Sequence, residues 1–143
     1  MDVKTIGVAI DGSSLTSAVL DMAAFEAQVK GVERIVIAYA LPSAVDLADG
    51  VMSLPQSTVD EMIEAGERTL GKASQQLSGA PCAVETRLLS GRDAADALSE
   101  FFDGCRCDLV IMGNRGLGGV KGYLGSVSRK VLLRATCPVL IVK

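Results

Sequence analysis

The residues best suited to chemistry form a glycine-rich stretch from Met112 to Ser128. Six of its 17 residues are glycine, and it lies between an apolar run and a segment with helical spacing. Glycines let a backbone approach a ligand closely, and the free N–H groups and dipole of a helix N-terminus attract anions. Ser126 and Ser128 add hydroxyl donors. Four basic residues lie close by in sequence: Arg115, Lys121, Arg129 and Lys130. The stretch predicts a polyphosphate site; the simpler alternative is that Gly125-Ser126 only caps a helix.

Charge is unevenly distributed along the chain. The net charge is −3, yet residues 1–112 carry 8 basic and 17 acidic side chains, whereas residues 113–143 carry 6 basic and none acidic. Overall acidity argues against bulk affinity for nucleic acid. The basic segment favours a small anion. Alternatively, its basic helix pairs with acidic neighbours in the fold.

Composition excludes several classes of protein. The chain has 143 residues, 49% of them hydrophobic, which suits a single domain spanning 1–143. The absence of histidine excludes Ser-His and Cys-His catalytic pairs and His-ligated metal sites within the chain. An aromatic content of 3% argues against base stacking. No apolar run reaches the roughly 18 residues of a membrane span, and the N-terminus lacks the features of a signal peptide. We therefore expect no membrane, nucleic-acid or secretory role.

The four cysteines do not form a recognisable metal motif. Cys105 and Cys107 are too closely spaced for an ordinary zinc half-site, and no second pair completes the ligands. Cys82 and Cys137 are expected to pack in or beside strands. All four are interpreted as structural thiols, with a redox role for Cys105 or Cys107 as the alternative.

Apolar periodicity predicts nine alternating elements. Ser13 or Ser14 is expected to cap the first helix, and Gly31 to end it. Residues 42–57 are predicted to form a long connection between the second strand and the second helix. The predicted strands are 3–10, 34–40, 82–89, 109–112 and 138–142. The first predicted helix starts at residue 15 and ends before Gly31, and the other three cover 59–77, 94–102 and 126–135.

This βαβαβαβαβ order predicts the α/β class, with a doubly wound parallel sheet of Rossmann-like type. We expect the strand order 3-2-1-4-5. In that order the winding reverses between strands 1 and 4, and ligands of such sheets bind beyond the carboxyl ends at that point. The loops that begin at Asp11 and at Gly113 both face it.

The sequence resembles the universal stress protein family over nearly its whole length. The resemblance is carried by Ile6-Gly7-Val8-Ala9-Ile10-Asp11-Gly12-Ser13 and by the block from Gly113 to Lys143, including Cys137-Pro138-Val139-Leu140-Ile141-Val142. It implies a fold like that of the adenine nucleotide alpha hydrolases. It also implies a cytoplasmic homodimer that pairs through the last strand, 138–142. Some members bind ATP or AMP with a divalent ion, and others bind no nucleotide.

The ATP-binding members carry Gly-x-x-Gly, nine residues, then Gly-Ser or Gly-Thr. Gly113, Gly116 and Gly125-Ser126 fit this pattern, but eight residues rather than nine separate the two halves. Extra glycines at 118, 119 and 122 could absorb the deletion. The resemblance places the adenosine near Asp11 and the backbones of Ala9 and Ala40, with Met112 beside adenine. It places ribose and phosphates at these residues: Gly113, Gly116, Gly125, Ser126, Val127 and Ser128. Arg115 is added to the predicted site because of its charge beside the loop.

The main hypothesis is a regulatory or stress-response protein that binds ATP or another adenine nucleotide. Asp11 could help to hold Mg²⁺ through a phosphate or water, and occupancy is expected to change the connection 42–57 or the dimer surface. One alternative is a nucleotide-free dimeric interaction protein of the same fold. Another is a weak Mg²⁺-dependent ATPase, although no arrangement of residues demands catalysis. A receiver domain would need an aspartate after the third strand, where the sequence reads Leu88-Leu89-Ser90.

Overall fold

Strands and helices alternate along the described part of the chain, as the periodicity predicts. The computed structural model describes residues 1–42, 54–91, 93–115 and 122–143. The elements are β1 (Thr5–Ile10), α1 (Thr16–Lys30), β2 (Arg34–Ala40), α2 (Gln56–Gln76), β3 (Ala83–Leu89), α3 (Ala94–Gly104), β4 (Leu109–Gly113), α4 (Ser126–Arg134) and β5 (Val139–Val142).

Several predicted boundaries are shifted by one to three residues in the structure, and two of them bear on the loops that follow. The first strand begins at Thr5 rather than Val3, and α2 begins at Gln56, so the last two residues of the predicted 42–57 connection are helical. Pro55 immediately precedes α2, and its fixed φ suits the start of a helix. Residues 43–53 of that connection lie outside the described residues.

The five strands form one parallel sheet in the order β3-β2-β1-β4-β5, which confirms the predicted topology. β1 pairs with β2 along its full length, from Thr5↔Arg34 to Ile10↔Tyr39. Its pairing with β4 is shorter and spans Ile6↔Leu109 to Val8↔Ile111. The carboxylate of Asp108 strengthens this seam, because its Oδ2 accepts hydrogen bonds from the backbone N–H groups of Lys4 and Thr5, both at 2.9 Å.

Each face of the sheet is covered by two helices. On one face, Ile6, Val8 and Ile37 pack against buried residues of α1 and α2 such as Leu20 and Leu70. On the other face, strand residues pack against α3 and α4, and the buried set is Ala9, Val36, Ala38, Val110, Met112, Ala95, Leu98, Phe102, Cys107 and Val131. This double winding places the reversal of the winding between β1 and β4. In the described part of the chain, no helix is long and apolar enough to cross a membrane.

α3 ends in a tight turn with an unusual residue at its centre. The N–H of Cys107 donates to the carbonyl of Phe102 (3.0 Å) and that of Arg106 to the carbonyl of Asp103 (3.0 Å). This is the Schellman pattern, whose central residue adopts a left-handed conformation that usually requires glycine. Here that residue is Arg106, with φ of 55°.

Replacing Arg106 with glycine is therefore expected to stabilise the protein. The left-handed conformation costs an L-residue about 1–2 kcal/mol, and glycine removes this cost. Part of the gain, about 0.5–1 kcal/mol, is offset because glycine gives the unfolded chain more conformational freedom. We expect a net gain of up to about 1 kcal/mol in the free energy of unfolding, measured by urea titration. Arg106→Ala keeps the Cβ and should bring no such gain. A glycine variant no more stable than the alanine variant would contradict the assignment of strain to this position.

Candidate functional site

A cavity of about 440 Å³ opens beyond the carboxyl ends of β1 and β4, where the winding of the sheet reverses. β1 and its following loop form one wall, and β4 with the start of α4 forms the other. The described lining residues are Ala9, Ile10, Asp11, Ser13, Leu15, Thr16, Val19, Tyr39, Ala40, Pro42, Ala94, Leu98, Met112, Gly113, Arg115, Gly125, Ser126, Val127 and Ser128. Its size is within the range of small-molecule sites.

The cavity brings together almost every residue that the sequence proposed for binding. These are Ala9, Asp11, Ala40, Met112, Gly113, Arg115, Gly125, Ser126, Val127 and Ser128. Gly116, the remaining member of that set, lies outside the described residues, as do Lys121 and most of the shortened glycine loop.

α4 begins at the cavity with its backbone donors unused by side chains. Gly125 is the N-cap residue, in an extended conformation with φ −63° and ψ 159°, and no side chain among the described residues caps the helix. The N–H of Gly125 donates to the carbonyl of Asn114 at 2.6 Å, and its carbonyl accepts from Arg129. The N–H groups of Ser126, Val127 and Ser128 have no intrahelical acceptor, because a helix leaves its first turn unpaired. Together with the helix dipole, they form a site for an anion.

The hydroxyl of Ser128 has a different role from the one expected. Ser128 is buried, and its Oγ donates to the carbonyl of Gly113 at 2.7 Å. The prediction of a second hydroxyl donor for a phosphate is therefore corrected, since this proton already ties α4 to the end of β4. Asn114 extends the same connection, because its N–H donates to the carbonyl of Val142 at 2.8 Å.

Asp11 forms the turn that follows β1. Its Oδ1 accepts from the N–H of Ser13 at 2.9 Å. The prediction that Ser13 or Ser14 caps α1 is wrong, since Leu15 occupies the N-cap position without a side-chain cap. The physical reason is that the Asp11 turn is followed by another turn, in which Thr16 N–H donates to the carbonyl of Ser13 (3.1 Å), so the helix begins later.

Tyr39 is a site residue that the sequence reasoning missed. It lines the cavity beside Ala40, and its ring packs against Gly66 of α2, where an added Cβ would lie 3.2 Å from the ring. Burial, and to a smaller extent the carboxylate of Asp11, raise the pKa of Tyr39 above its usual value. The phenol therefore stays protonated near neutral pH and is a hydrogen-bond donor. The sequence does hold a signal for this role, because Tyr39 ends a buried strand and Gly66 leaves room for its ring on the apolar face of α2.

The basic residues divide between two roles. Lys130 contacts Asp93 at 2.7 Å, and Arg134 contacts Asp96. These pairs join α4 to α3, as the alternative interpretation of the basic segment predicts. Arg115 instead lines the cavity next to the start of α4. The cavity thus has a positive end at α4 and a polar end at Asp11 and Tyr39.

Asp93 gives the α3–α4 contact a pH dependence. Its Oδ1 accepts from the N–H groups of Ala95 (2.8 Å) and Asp96 (3.2 Å), which caps α3. The hydrogen bond from Lys130 lowers the pKa of Asp93 most strongly. Because the pKa of Asp93 is lower in the folded than in the unfolded protein, its ionised form stabilises the fold at pH values above the unfolded-state pKa of about 4. This stabilisation is lost as the pH falls through the folded-state pKa.

Asp93→Ala is expected to lower the free energy of unfolding at pH 7 by about 1 kcal/mol, the usual worth of such a cap. The difference from the unchanged protein should shrink below pH about 4, as followed by urea titration across pH. Lys130→Met keeps the cap and should cost less. An Asp93→Ala difference that is constant with pH would contradict the role of its charge.

Comparisons with known proteins agree with this architecture. The sequence profile described as "Universal stress protein family" matches residues 2–143. A universal stress protein of Thermus aquaticus is 35% identical over 141 residues, which cover 98% of each chain. The universal stress protein from Archaeoglobus fulgidus in complex with dAMP superposes with a TM-score of 0.74 at 28% identity, covering 100% of both chains.

A further solved structure, of a universal stress protein in complex with cAMP, has a TM-score of 0.73 and 30% identity, and covers 100% of this chain and 99% of its own. The likeness thus extends from one end of the chain to the other in both sequence and fold. The chain belongs to the universal stress protein family.

Proposed function

We propose that the cavity binds an adenine nucleotide and that the protein acts as a nucleotide-responsive regulator in the stress response. The observation that carries the proposal is the uncapped N-terminus of α4, which faces the cavity beside Arg115. Two relatives that are at least 28% identical were solved with dAMP and with cAMP. Both ligands combine an adenine base with a phosphate, which matches a cavity with one polar and one anion-binding end.

The ligand is proposed to lie with its base near β1 and β2 and its phosphates at α4. Asp11, the backbones of Ala9 and Ala40, and Met112 would contact the adenosine. The phosphates would accept from the N–H groups of Ser126, Val127 and Ser128, with Arg115 adding charge. Gly113 and Gly116 would lie along the ribose. Tyr39 would add a hydroxyl donor at the adenosine end.

ATP is the proposed physiological ligand, with Mg²⁺ as its counter-ion. Mg²⁺ is usually held by one or two carboxylates together with phosphate oxygens and water. Among the described lining residues Asp11 is the one carboxylate, and the described residues contain no group of three or more Asp, Glu, Cys or His side chains placed for a metal. The residues therefore fit an ion that arrives on the phosphates, to which Asp11 would add one ligand.

The test begins with the nucleotide content of freshly purified protein, released by heat and identified by chromatography. Titration calorimetry with ATP, AMP and cAMP, with and without Mg²⁺, and with GTP as a control, would then rank the ligands. Gly125→Val should weaken binding, because an added Cβ lies 3.3 Å from the Cα of Arg115 and 3.4 Å from the carbonyl of Asn114, and these neighbours must shift to admit it. Gly79→Val is the matched control, since nothing lies within 4 Å of its added Cβ.

Unchanged protein that carries no nucleotide and ignores all four added ones would overturn the proposal. It would favour a nucleotide-free interaction protein instead. Steady release of phosphate from ATP would favour the weak ATPase.

We also propose that the protein is a cytoplasmic homodimer that pairs through 138–142, as the family resemblance implies. All four residues of β5 are half-exposed, although all are apolar. The N–H of Val110 donates to the carbonyl of Pro138 and that of Asn114 to the carbonyl of Val142. By the alternation of a parallel ladder, the N–H groups of Val139 and Ile141 point to the free edge.

Ile141→Pro removes one of these outward N–H groups without touching a bond to β4, and proline is tolerated at such edge positions. We expect it to convert a dimer into a monomer in analytical ultracentrifugation. Ile141→Val keeps the N–H and should stay dimeric. A monomeric unchanged protein, or a dimeric proline variant, would exclude pairing through this edge.

A further inference from the structure

Three of the four cysteines lie on one face of the sheet, away from the cavity. Cys105, Cys107 and Cys137 all belong to the packing on the α3–α4 face. Cys107 precedes β4 and Cys137 precedes β5, so both lie at the amino ends of strands. The cavity lies at the carboxyl ends, and the proposed nucleotide site uses none of these thiols.

Cys105 and Cys107 are held on either side of the tight turn that ends α3. Cys105 is the C-cap residue, Arg106 has its left-handed conformation, and the N–H of Cys107 closes the turn on Phe102. A tight turn brings residues two apart to a Cα separation of about 5–6 Å, which is the range of disulfides. The carbonyl of Cys105 is itself fixed, since it accepts from Nη2 of Arg34 at 2.8 Å.

The two thiols differ in access to solvent. Cys105 is partly buried against the same core cluster, whereas Cys107 is buried and only 8% exposed. The Sγ of Cys107 lies against β1, at 3.0 Å from where a Cβ on Gly7 would be. Burial, followed by the neighbouring Cys105, raises the pKa of Cys107 to about 12. Cys105 is therefore the less buried residue of the two, and Cys107 is the more buried one beside it.

We propose that Cys105 and Cys107 form a redox-active dithiol that exchanges with small-molecule disulfides such as glutathione disulfide. The Cys105 thiolate attacks one sulfur of the small disulfide, and one thiolate of that molecule leaves. Cys107 then gives its proton to solvent and attacks the Cys105 sulfur, which expels the small thiolate from the mixed disulfide. The two cysteines are oxidised to one disulfide, and the small disulfide is reduced to two thiols after protonation.

Oxidation of this cysteine pair would affect β1. In this proposal, formation of the disulfide draws the sulfur of Cys107 away from Gly7, beside which it lies in the reduced protein. Gly7 lies two residues before Ala9, which lines the cavity. Oxidation therefore changes the packing on the central strand that carries one wall of the proposed nucleotide site.

The sequence permits a direct test, because trypsin separates all four cysteines. Cleavage after Arg106 places Cys105 in peptide 93–106 and Cys107 in peptide 107–115, while Cys82 and Cys137 fall in 73–87 and 135–143. The folded protein is treated with glutathione disulfide, its remaining thiols are alkylated, and it is digested without reduction. Mass spectrometry is expected to find 93–106 joined to 107–115 by a disulfide.

Three serine variants assign the roles. In Cys107→Ser the reaction should stop at the mixed disulfide, with glutathione bound to peptide 93–106. Cys105→Ser should form no internal disulfide. Cys137→Ser should react like the unchanged protein. A link between 107–115 and 135–143, or glutathione that persists on Cys105 in the unchanged protein, would overturn the proposal. So would a disulfide that forms only at the rate of global unfolding, measured by following the reaction in increasing urea.

Discussion

Ser126→Pro is expected to weaken binding of the adenine nucleotide by about ten- to a hundred-fold while the fold stays intact. Hydrogen bonds to a charged group contribute about 1.5–3 kcal/mol, and each 1.4 kcal/mol is roughly tenfold in affinity. Proline removes one of the three N–H groups that the first turn of α4 presents to the phosphates. It is accepted at the first position of a helix, where no intrahelical bond is lost. The preceding residue also suits it, because the ψ of Gly125 is 159° and residues before proline favour this extended region.

The matched control is Ser126→Ala, which loses the hydroxyl but keeps the N–H. Titration calorimetry on both variants separates the contribution of the backbone from that of the side chain, and thermal unfolding without ligand checks the fold. A folded proline variant that binds as tightly as the unchanged protein would show that the phosphates do not lie on α4. Failure of the unchanged protein to bind would instead refute the proposed function itself.

Gly7→Ala is expected to lower the free energy of unfolding by about 1–3 kcal/mol, the usual cost of overpacking a core. An added Cβ would lie 2.6 Å from Cδ1 and 2.9 Å from Cε1 of the Phe102 ring. The ring cannot swing into solvent, because Phe102 is 3% exposed beneath α3. Either α3 moves away from the sheet or the ring leaves its preferred rotamer, and both cost packing energy.

Gly71→Ala is the same chemical change, but it is expected to raise the free energy of unfolding. Gly71 lies inside α2, and nothing is found within 4 Å of its added Cβ. Alanine is favoured over glycine in a helix by up to about 1 kcal/mol, so this variant should be more stable. Urea titration of both variants tests the contrast. A Gly7 variant as stable as the unchanged protein would mean that α3 is free to shift on β1.

The order of strands and the two loops at the cleft could be predicted from the sequence because they depend on periodicity and topology. Buried parallel strands are continuous apolar runs, and the rule of right-handed crossovers leaves few arrangements. Asp11 and Gly113 each follow such a run, so their meeting at the reversal point follows from the strand order alone. The positions of the strands therefore account for most of the candidate site.

Side-chain hydrogen bonds could not be predicted in the same way. Ser128 looked like a phosphate donor because serine at the start of a helix is a common anion ligand, but its nearest acceptor is the carbonyl of Gly113. Tyr39 was missed because its place in the cavity depends on Gly66 of a different element. Both outcomes depend on which groups lie within about 3 Å of each other in the fold, and local sequence does not encode that distance.

The short seam between β1 and β4 also has a consequence for kinetics. Ile6 pairs with Leu109 across about a hundred residues, whereas its pairing with Ile35 on the other side is far more local. Contacts between residues far apart in sequence are expected to form late, because closing the long loop costs conformational entropy before the contact adds any stability. The two walls of the cavity come from opposite sides of this seam, so we expect the cavity to be completed after the transition state for folding. A ligand that bridges both walls should therefore slow unfolding in stopped-flow experiments and leave the folding rate almost unchanged.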